Sequence, residues 1–509
     1  MILVKEAKEN KDVTVEKKSS STEANDKLEL MLKENLSCEM FHFILNVFYA
    51  PRVVVKVILF VFILIACGLA SYTTITLILT YLQYNVITMT RTINETPTVF
   101  PKVTICNKNL FATQYAYEFL LESNLIDVMQ MNRILNGDRN EAILYWTLFR
   151  AILSGKILNV SDEQKKRFGH SLNDTLLSCL FDYEVCHAND FQWEWDPYYG
   201  NCYSFNSGFN YSGQSITLKE SSLSGSTFGL HMEFYVNYYE NLSQFNSIID
   251  NYGLVVRINN VSHAIDYSHD GIFVSPGFHT FLALERQFSA TLPKPYSSCD
   301  DLDASSFDSD LFNLISKSKY QYTQKFCLIQ CMQELFTKMC NCGSSDFALL
   351  RNASFCGSLV EIECDFQAYT RIYLKNNYVQ NECIPRCPLE CNSSRITYTP
   401  SSSQLVSSTY THLLENNVNL RSDFINRSIQ DEIVVLQSVV KLSIFYDSLS
   451  YTISTETPQM DIISLIANIG GNLGLFMGVC LFSLGEMVVT LIELLFLKLF
   501  TNMKVKTTT

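Results

Sequence analysis

Residues 457–500 read TPQMDIISLIANIGGNLGLFMGVCLFSLGEMVVTLIELLFLKLF and decide the fold class. The middle of this stretch carries no charge and is long enough to supply the ~20 apolar residues with which a helix crosses a bilayer. Gly470, Gly474 and Gly478 recur every four residues, and on one helix they form a bare stripe along which helix backbones approach closely. The stretch therefore predicts a membrane helix that packs against other helices.

An acidic residue, Glu486, follows the glycines. A carboxylate at or near hydrocarbon depth is costly unless it faces water or a partner. The stretch is therefore interpreted as a pore helix with water on its glycine face. The alternative is a dimerising anchor that holds Glu486 at the cytoplasmic headgroup level.

Composition narrows the class of protein. The chain has 509 residues, of which 47% are hydrophobic and 17% charged, with a formal net charge of -13. A negative chain is a poor partner for nucleic acid. The sequence contains no phosphate-binding glycine loop, HExxH metal site or GxSxG nucleophile turn. We therefore expect no enzyme, catalytic residue, resident metal or cofactor.

A second uncharged stretch, residues 57–79, lies near the start of the chain, with Arg52 and Lys56 before it. Lysines also follow the last span, and basic residues collect on the cytoplasmic side, so both termini are predicted to be cytoplasmic. A single anchor with a soluble C-terminal half is the weaker alternative. The predicted order is a cytoplasmic tail (1–56), a transmembrane helix (57–82), an extracellular domain (83–458), a pore helix (459–497) and a cytoplasmic tail (498–509).

Two residue patterns support an extracellular middle segment. Nine glycosylation acceptors lie between the spans, at Asn94, Asn159, Asn173, Asn210, Asn241, Asn260, Asn352, Asn392 and Asn426. Fourteen of the 17 cysteines also lie there, and this even number predicts seven disulfides.

The densest group of cysteines lies within residues 299–391. Cys327 and Cys331 are four residues apart in a helical pattern, so their sulfurs face one way, and the cysteines at 383, 387 and 391 form a plausible facing set. We expect a helix pair held by a ladder of bridges. The alternative is a zinc site built from Cys340, Cys342 and their neighbours.

Periodicity predicts an α+β extracellular domain. The predicted helices are residues 113–136 and 138–155, and the predicted strands are residues 226–237, 253–261, 271–287 and 433–456. The last strand leads almost directly into the second span. It would link an extracellular event mechanically to the membrane.

Several ordered segments between residues 42 and 490 carry a family resemblance. They are FPKVTICN (100–107), GHSL (169–172), LLSC (176–179), YGNCYSFNSG (199–208), SPGF (275–278), LPKPY (292–296), CPLEC (387–391) and GGNLGLFMGVC (470–480). The chain resembles subunits of the degenerin, epithelial sodium channel and acid-sensing ion channel superfamily. The GHSL, LLSC and YGNCYSFNSG segments most resemble the invertebrate channels gated by FMRFamide and RFamide peptides.

The resemblance implies a fold and a function. The fold is a trimer, homomeric or heteromeric, in which each subunit carries a hand-shaped, disulfide-rich ectodomain over two membrane helices. The function is an amiloride-sensitive, sodium-selective channel of the plasma membrane, with Na⁺ as the permeant ion. The implied bridges are Cys106–Cys202, Cys179–Cys186, Cys299–Cys391, Cys327–Cys387, Cys331–Cys383, Cys340–Cys364 and Cys342–Cys356.

The resemblance also implies roles in the pore. The family's Gly-x-Ser filter matches Gly478, Val479 and Cys480, where a thiol replaces the hydroxyl and brings the strength of sodium selectivity into question. The remaining pore positions are the acids Asp461 and Glu486, Gly474 for amiloride block, and Ala467 at the degenerin position.

Three further residues match gating positions. The aromatic pair Tyr84 and Tyr296 matches the contact through which the disulfide-rich subdomain touches the first membrane helix. His42 matches the histidine of a cytoplasmic His-Gly pair, but Phe43 replaces the glycine. This departure keeps open a non-conducting accessory subunit, or a surface receptor that needs heteromeric partners.

The gating stimulus is predicted from the acidic residues of the extracellular segment and from the family resemblance. Proton-gated members carry paired carboxylates, which raise a carboxyl pKa toward the physiological range. In this chain, the stretch that aligns with one of those acidic pairs is Tyr239-Glu240, which contains one acid. The loop 343–355 contains Asp346 alone. Proton gating is therefore the less favoured alternative, together with gating by another stimulus. The resemblance of the GHSL, LLSC and YGNCYSFNSG segments to the peptide-gated branch implies an amidated, cationic neuropeptide as the ligand.

Overall fold

The computed structural model describes residues 52–108, 113–122, 151, 153–236, 252–261, 271–301, 309–318, 320–372, 378–416, 435–478 and 492. The chain divides into two compact units, which are described separately below. One comprises Met1–Ile87 with Thr457–Thr509, and the other comprises Thr88–Glu456.

The secondary structure mixes helices and strands. The helices are α1 (Val53–Leu82), α2 (Gln114–Glu122), α3 (Asp162–Lys166), α4 (Leu172–Thr175), α5 (Asp310–Ser316), α6 (Gln324–Cys340), α7 (Leu359–Thr370), α8 (Ser408–Glu415) and α9 (Ile462–Met477). The first strands are β1 (Val86–Asn94), β2 (Thr98–Val99), β3 (Lys102–Asn107), β4 (Leu176–Phe181), β5 (Glu184–Val185), β6 (Phe191–Asp196), β7 (Gly200–Phe205) and β8 (Glu220–Ser221). The remaining strands are β9 (Leu230–Tyr235), β10 (Leu254–Asn259), β11 (Ile272–Val274), β12 (Phe278–Ala290), β13 (Cys299–Asp300), β14 (Leu389–Glu390), β15 (Asn392–Gln404) and β16 (Val439–Pro458).

The smaller unit contains two apolar helices that contact each other, α1 and α9. Among the described residues, α1 is the one helix long and apolar enough to cross a membrane, and α9 is shorter, at 16 residues. Thr73, Thr76 and Thr80 on α1 donate their hydroxyls to carbonyls four residues earlier, at 2.8–2.9 Å. These internal bonds satisfy the hydroxyls without water, as an apolar environment requires.

Two sheets form the body of the larger unit. A seven-stranded sheet runs in the order β15-β12-β16-β9-β4-β5, with β1 also paired to β16, and a five-stranded sheet runs β11-β10-β3-β7-β6. One hydrophobic core contains residues of both sheets, among them Phe205, Val256, Met232 and Ile444. The alternation of buried and half-buried residues along β9 shows why its sequence forms a strand with one face in that core.

The predicted strands are partly correct. The strand over 253–261 is confirmed by β10, but the single strand predicted over 271–287 is two strands, β11 and β12. The turn between them contains Gly277, whose φ of 79° lies in the left-handed region that glycine adopts readily. The other two predicted strands start too early, since β9 begins at Leu230 and β16 at Val439, after a helical turn at 435–436.

The predicted helices are confirmed only where residues are described. Helix α2 covers 114–122 and residues 153–158 are helical, while all of 123–150 lies outside the described residues.

The described residues between 310 and 391 form what we call the helical subdomain, with α5, α6 and α7. Helix α6 is preceded by the N-cap Thr323, whose hydroxyl accepts the Phe326 N–H at 3.2 Å, and is followed by Asn341, which forms a left-handed C-cap. Cys327 and Cys331 are buried on one face of α6, as their spacing predicts. Their partners, Cys387 and Cys383, do not lie on an α-helix.

The chain around those partner cysteines forms a π-helix (Val379–Cys383) and then a 3₁₀ turn (Ile384–Arg386). Pro385 within it lacks an N–H and disfavours a regular helix, so the predicted helix pair is wrong in its second member.

Seven disulfides lie within the part of the chain that the structure describes, and they join the same seven pairs that the resemblance implies. Cys340 and Cys342 bond to Cys364 and Cys356, so they are not free to ligate zinc. Such bridges stabilise by about 2–4 kcal/mol each.

Candidate functional site

Helix α9 begins at a capped aspartate. The Asp461 carboxylate accepts the backbone N–H of Ser464 at 2.9 Å, while its own backbone is extended, with φ −86° and ψ 169°. This N-cap satisfies one of the unpaired N–H groups of the first turn and places the negative charge at the positive end of the helix. The carboxylate therefore has a fixed position at the start of the predicted pore helix.

The glycine face of α9 is open in a single chain. A methyl group built on Gly470 or Gly471 would meet no atom within 4 Å. Ile463, Ile466 and Leu475 on the same helix are 65–78% exposed. An apolar helix with this much uncovered surface is suited to contact with lipid or with further helices.

The helix ends where the predicted filter begins. Gly478 adopts φ 66° and ψ 18°, and its N–H bonds to the carbonyls of Gly474 and Leu473. A side chain would disfavour this left-handed cap, so glycine explains why α9 stops at Met477. The prediction that Gly478 extends the helical stripe of Gly470 and Gly474 is therefore wrong, because Gly478 breaks the helix.

The other predicted pore and gating residues divide into those the structure describes and those it does not. Ala467 and Gly474 are exposed on α9. His42, Val479, Cys480 and Glu486 lie outside the described residues. Tyr84 follows the end of α1 at φ 51° and its ring lies 6.1 Å from that of Tyr81. Tyr296 closes a turn onto the Pro293 carbonyl at 3.1 Å and is half-buried.

A buried carboxylate in the helical subdomain was missed by the sequence analysis. Asp365 is 7% exposed on the same face of α7 as Ile362 and Ala368. Burial, and then the charge of Asp346, raise the pKa of Asp365 to about 7. The Ser344 hydroxyl donates to it at 3.3 Å. Asp346 is the one acid of the loop 343–355, as the sequence shows, but its charge acts on Asp365 of α7, so the inference that this loop lacks a second carboxylate nearby is wrong.

The partner carboxylate, Asp346, connects two parts of the larger unit. Its two oxygens accept the hydroxyls of Tyr198 and Tyr369, each at 2.6 Å. Tyr198 belongs to the turn between β6 and β7, and Asp196 at the end of β6 accepts the backbone N–H groups of Tyr198 and Tyr199 at 2.7 and 2.9 Å. Asp196 is also paired with Arg257 at 2.6 Å, with both side chains 2% exposed. The helical subdomain is thus joined to the five-stranded sheet through a partly buried hydrogen bond of Tyr198, whose turn is fixed by the buried Asp196.

A signal for this carboxylate was present in the sequence. A charged residue at the i+3 position of an apolar helical face, as in Ile362-x-x-Asp365-x-x-Ala368, marks a buried ionisable group. Its pairing with Asp346 depends on how the loop after α6 folds back, which the sequence alone does not specify.

Among the described residues, one trio has metal-ligand chemistry: Cys106, Asp196 and Cys202. The two sulfurs are bonded to each other and the carboxylate is paired with Arg257, so these groups are already satisfied.

The predicted glycosylation sites differ in exposure. Five acceptors are exposed, and these are Asn94, Asn159, Asn173, Asn352 and Asn392. Asn260 is half-buried, and Asn241 and Asn426 lie outside the described residues. Asn210 is 8% exposed, and its amide nitrogen bonds to Gln214 at 3.2 Å. Its burial is incompatible with a glycan, so Asn210 fits the prediction least well.

Comparison with known proteins supplies the family. A model described as "Amiloride-sensitive sodium channel" matches residues 34–490. Acid-sensing ion channel 1B of Danio rerio is 27% identical over 423 residues, covering 82% of this chain and 69% of that protein. The FMRFamide-activated amiloride-sensitive sodium channel of Cornu aspersum is 23% identical over 496 residues, covering 81% of this chain and 75% of that protein.

A third relative is a subunit of an epithelial channel. Epithelial sodium channel subunit gamma-2 of Xenopus laevis is 26% identical over 345 residues, which is 67% of this chain and 48% of that subunit. The chain thus matches about half the length of this relative. The similarities extend to acid-sensing, epithelial and peptide-activated channels at comparable identity. The chain belongs to the amiloride-sensitive sodium channel family, a family of membrane ion channels that are not enzymes.

Proposed function

We propose that this chain is a subunit of an amiloride-sensitive, sodium-selective channel of the plasma membrane, opened by an extracellular ligand. The observation that carries the proposal is the construction of α9: an apolar helix capped by Asp461, bare at Gly470 and Gly471, and broken at Gly478. A ring of such helices would place carboxylates at the outer mouth and backbone carbonyls at the constriction.

The proposed topology has two spans and two cytoplasmic termini. Helix α1 supplies the first span, and α9 together with the chain that follows it, to residue 497, supplies the second. Residues 83–458 then form the extracellular domain, which agrees with its seven disulfides and exposed glycosylation acceptors. The open glycine face of α9 favours assembly with further copies or related subunits, and a trimer is the proposed assembly.

The proposed pore residues follow the family pattern. Gly478, Val479 and Cys480 form the filter, with Na⁺ as the permeant ion and no resident cofactor. Asp461 and Glu486 concentrate cations on either side of it, an electrostatic role. Gly474 contributes to amiloride block, and Ala467 is the small residue that closure needs.

The position of strand β16 in the chain supports gating by an extracellular ligand. It runs through the centre of the seven-stranded sheet and ends at Pro458, three residues before the cap of α9. Tyr84 and Tyr296 are proposed as the transmission contact, and His42 as a cytoplasmic gating residue. A ligand shifts such an equilibrium by its different affinity for the closed and open states.

The proposed ligand is an amidated neuropeptide. A cationic, aromatic peptide complements an acidic, aromatic-rich ectodomain, and one similar channel is named for its activation by FMRFamide. No nucleic acid partner is proposed.

Proton sensitivity is a second candidate, favoured by the carboxylates Asp346 and Asp365. A carboxyl whose pKa is about 7 changes its charge within the physiological range.

Two-electrode voltage clamp of oocytes that express this chain alone tests the proposal. Amidated peptides, acid and a bile acid are applied in turn, each with and without amiloride. A peptide-evoked, amiloride-blocked inward current supports the main proposal, whereas an acid-evoked current lost in Asp365→Asn supports the second. No current under any stimulus, with the glycosylated chain at the surface, supports the accessory-subunit alternative, and Phe43→Gly is then the first variant to record.

A further inference from the structure

A buried serine lies between two histidines on neighbouring strands of the seven-stranded sheet. The Ser443 hydroxyl oxygen is 2.8 Å from Nδ1 of His231 and 2.8 Å from Nε2 of His279. Ser443 is 1% exposed, and both imidazoles are partly buried. The three side chains belong to β16, β9 and β12, so one hydroxyl joins three adjacent strands.

The strand register explains the arrangement. Ser443 lies directly opposite His231 in the antiparallel pair of β16 and β9. In the parallel pair of β12 and β16 it lies opposite Phe281, two residues beyond His279 on the same face. The His279 ring packs on the Phe281 ring, with centroids 4.0 Å apart, which holds the imidazole in place.

The hydrogen-bond inventory of serine makes this arrangement sensitive to protons. Ser443 has one hydroxyl hydrogen, so it donates to one imidazole and must accept an N–H from the other. If the imidazole that accepts the serine hydrogen takes up a proton, both rings direct N–H groups at the Ser443 oxygen. The serine hydrogen then has to turn away from both, inside a buried site where an unpaired donor is costly.

The surrounding charges resist that protonation. Lys441 lies two residues before Ser443, on the same face of β16. Its ammonium nitrogen is 2.8 Å from a carboxylate oxygen of Glu233 on β9 and 3.8 Å from the centre of the Tyr410 ring on α8. Burial, followed by the positive charge of Lys441 and the proximity of His231, lowers the pKa of His279, while Glu233 acts in the opposite direction.

We propose that His231, Ser443 and His279 form a proton-sensitive bridge, and that imidazole protonation weakens the junction of β9, β16 and β12. A histidine whose pKa is lowered in the folded state binds its proton more readily in the unfolded state. The stability of the fold therefore falls as the pH falls below the ordinary histidine pKa. This is opposite to the direction expected at Asp365. A loosened β16 would alter the strand that leads to α9, a consequence that rests on the proposed function.

Hydrogen exchange with mass spectrometry on the purified full chain tests the bridge without needing a current. Peptides from β9 and β16 are followed at about pH 7.5 and about pH 5.5, on either side of the ordinary histidine pKa, with rates corrected for intrinsic pH dependence. We expect a severalfold loss of protection at the lower pH. The double variant His231→Gln/His279→Gln keeps donors and acceptors but does not titrate, so its protection should not depend on pH.

Two matched variants separate the bridge from other titrating groups. His412→Gln removes an exposed histidine of α8 that pairs with Glu415, and Asp365→Asn removes the buried acid of the helical subdomain. His412→Gln should keep the wild-type pH response in β9 and β16, and Asp365→Asn, which removes a pH dependence of opposite sign, should show a loss of protection at least as large as the wild type. Equal wild-type protection at the two pH values, or a double variant that retains the wild-type response, overturns the proposal. If the double variant does not fold, the single variant His279→Gln serves the same comparison.

Discussion

The Tyr198 hydroxyl donates to Asp346 at 2.6 Å, across 148 residues of sequence. Tyr198 lies in a turn of the five-stranded sheet, and Asp346 in the loop after α6 of the helical subdomain. The second oxygen of Asp346 accepts Tyr369 of α7 at 2.6 Å. One carboxylate therefore fixes the loop against both a helix of its own subdomain and the neighbouring sheet.

We expect Tyr198→Phe to lower the free energy of unfolding by about 2 kcal/mol, because a hydrogen bond to a charged acceptor is lost without a change in shape. Thermal unfolding of the purified chain, followed by fluorescence, measures the effect. Tyr183→Phe is the matched control, since Tyr183 is 66% exposed at a hairpin tip. Equal unfolding midpoints for the two variants would show that the Tyr198 contact contributes nothing.

Asp365→Asn should change how stability depends on pH. Because the folded-state pKa of Asp365 is raised to about 7 from 3.8, its contribution is complete below the unfolded value and is lost as pH rises through 7. The wild type should therefore lose up to about 4 kcal/mol between these values, and the variant should not. Unfolding midpoints across this range measure the difference. Glu363→Gln, an exposed change on the same helix, should retain the wild-type slope, and a wild-type slope in Asp365→Asn would contradict the assignment.

Gly155→Ala should prevent correct folding. A methyl group at Gly155 would lie 1.7 Å from the backbone oxygen of Cys356, and a backbone in a disulfide-bonded loop cannot move aside cheaply. We expect a cost of about 3 kcal/mol or more. Surface biotinylation measures the loss of mature protein. Gly68→Ala, where the added methyl meets nothing within 4 Å, should reach the surface normally, and normal surface levels of Gly155→Ala would refute the close contact.

Substitutions at Asp461 separate charge from capping. Asp461→Asn keeps an oxygen that can accept the Ser464 N–H but removes the charge. Asp461→Ala removes the charge and the accepting oxygen. Sodium conductance of single channels should fall in both variants, and only Ala should also alter opening and closing, because it destabilises the start of α9. Wild-type conductance in Asp461→Asn would exclude an electrostatic role for this carboxylate.

The sequence predicted the parts of the fold that depend on local pattern. The apolar run of α1, the spacing of Cys327 and Cys331, and the β-branched residues of β10 each determine structure over a few residues. The end of α9 was missed because Gly478 fits a helical stripe and a left-handed cap equally well. The cap forms only when the N–H of Gly478 turns back to Gly474, which spacing does not reveal.

The parts that the sequence did not predict depend on distant strands and loops. Asp346 and Asp365 come together because the loop after α6 packs on α7, and Ser443 lies between two histidines because of the order β12-β16-β9. Ser443 is 212 residues from His231 and 164 from His279 in the sequence, so the three residues form no local pattern. Both clusters need the topology as well as the residues.

The most direct test of the account is the reversal potential of the current in oocytes that express this chain alone, recorded as external sodium is replaced stepwise by an impermeant cation. The account predicts a ligand-evoked current that amiloride blocks, with a reversal potential that moves to more negative voltages at each step. A chain present at the surface that passes no amiloride-sensitive current, or a reversal potential indifferent to sodium, would contradict it.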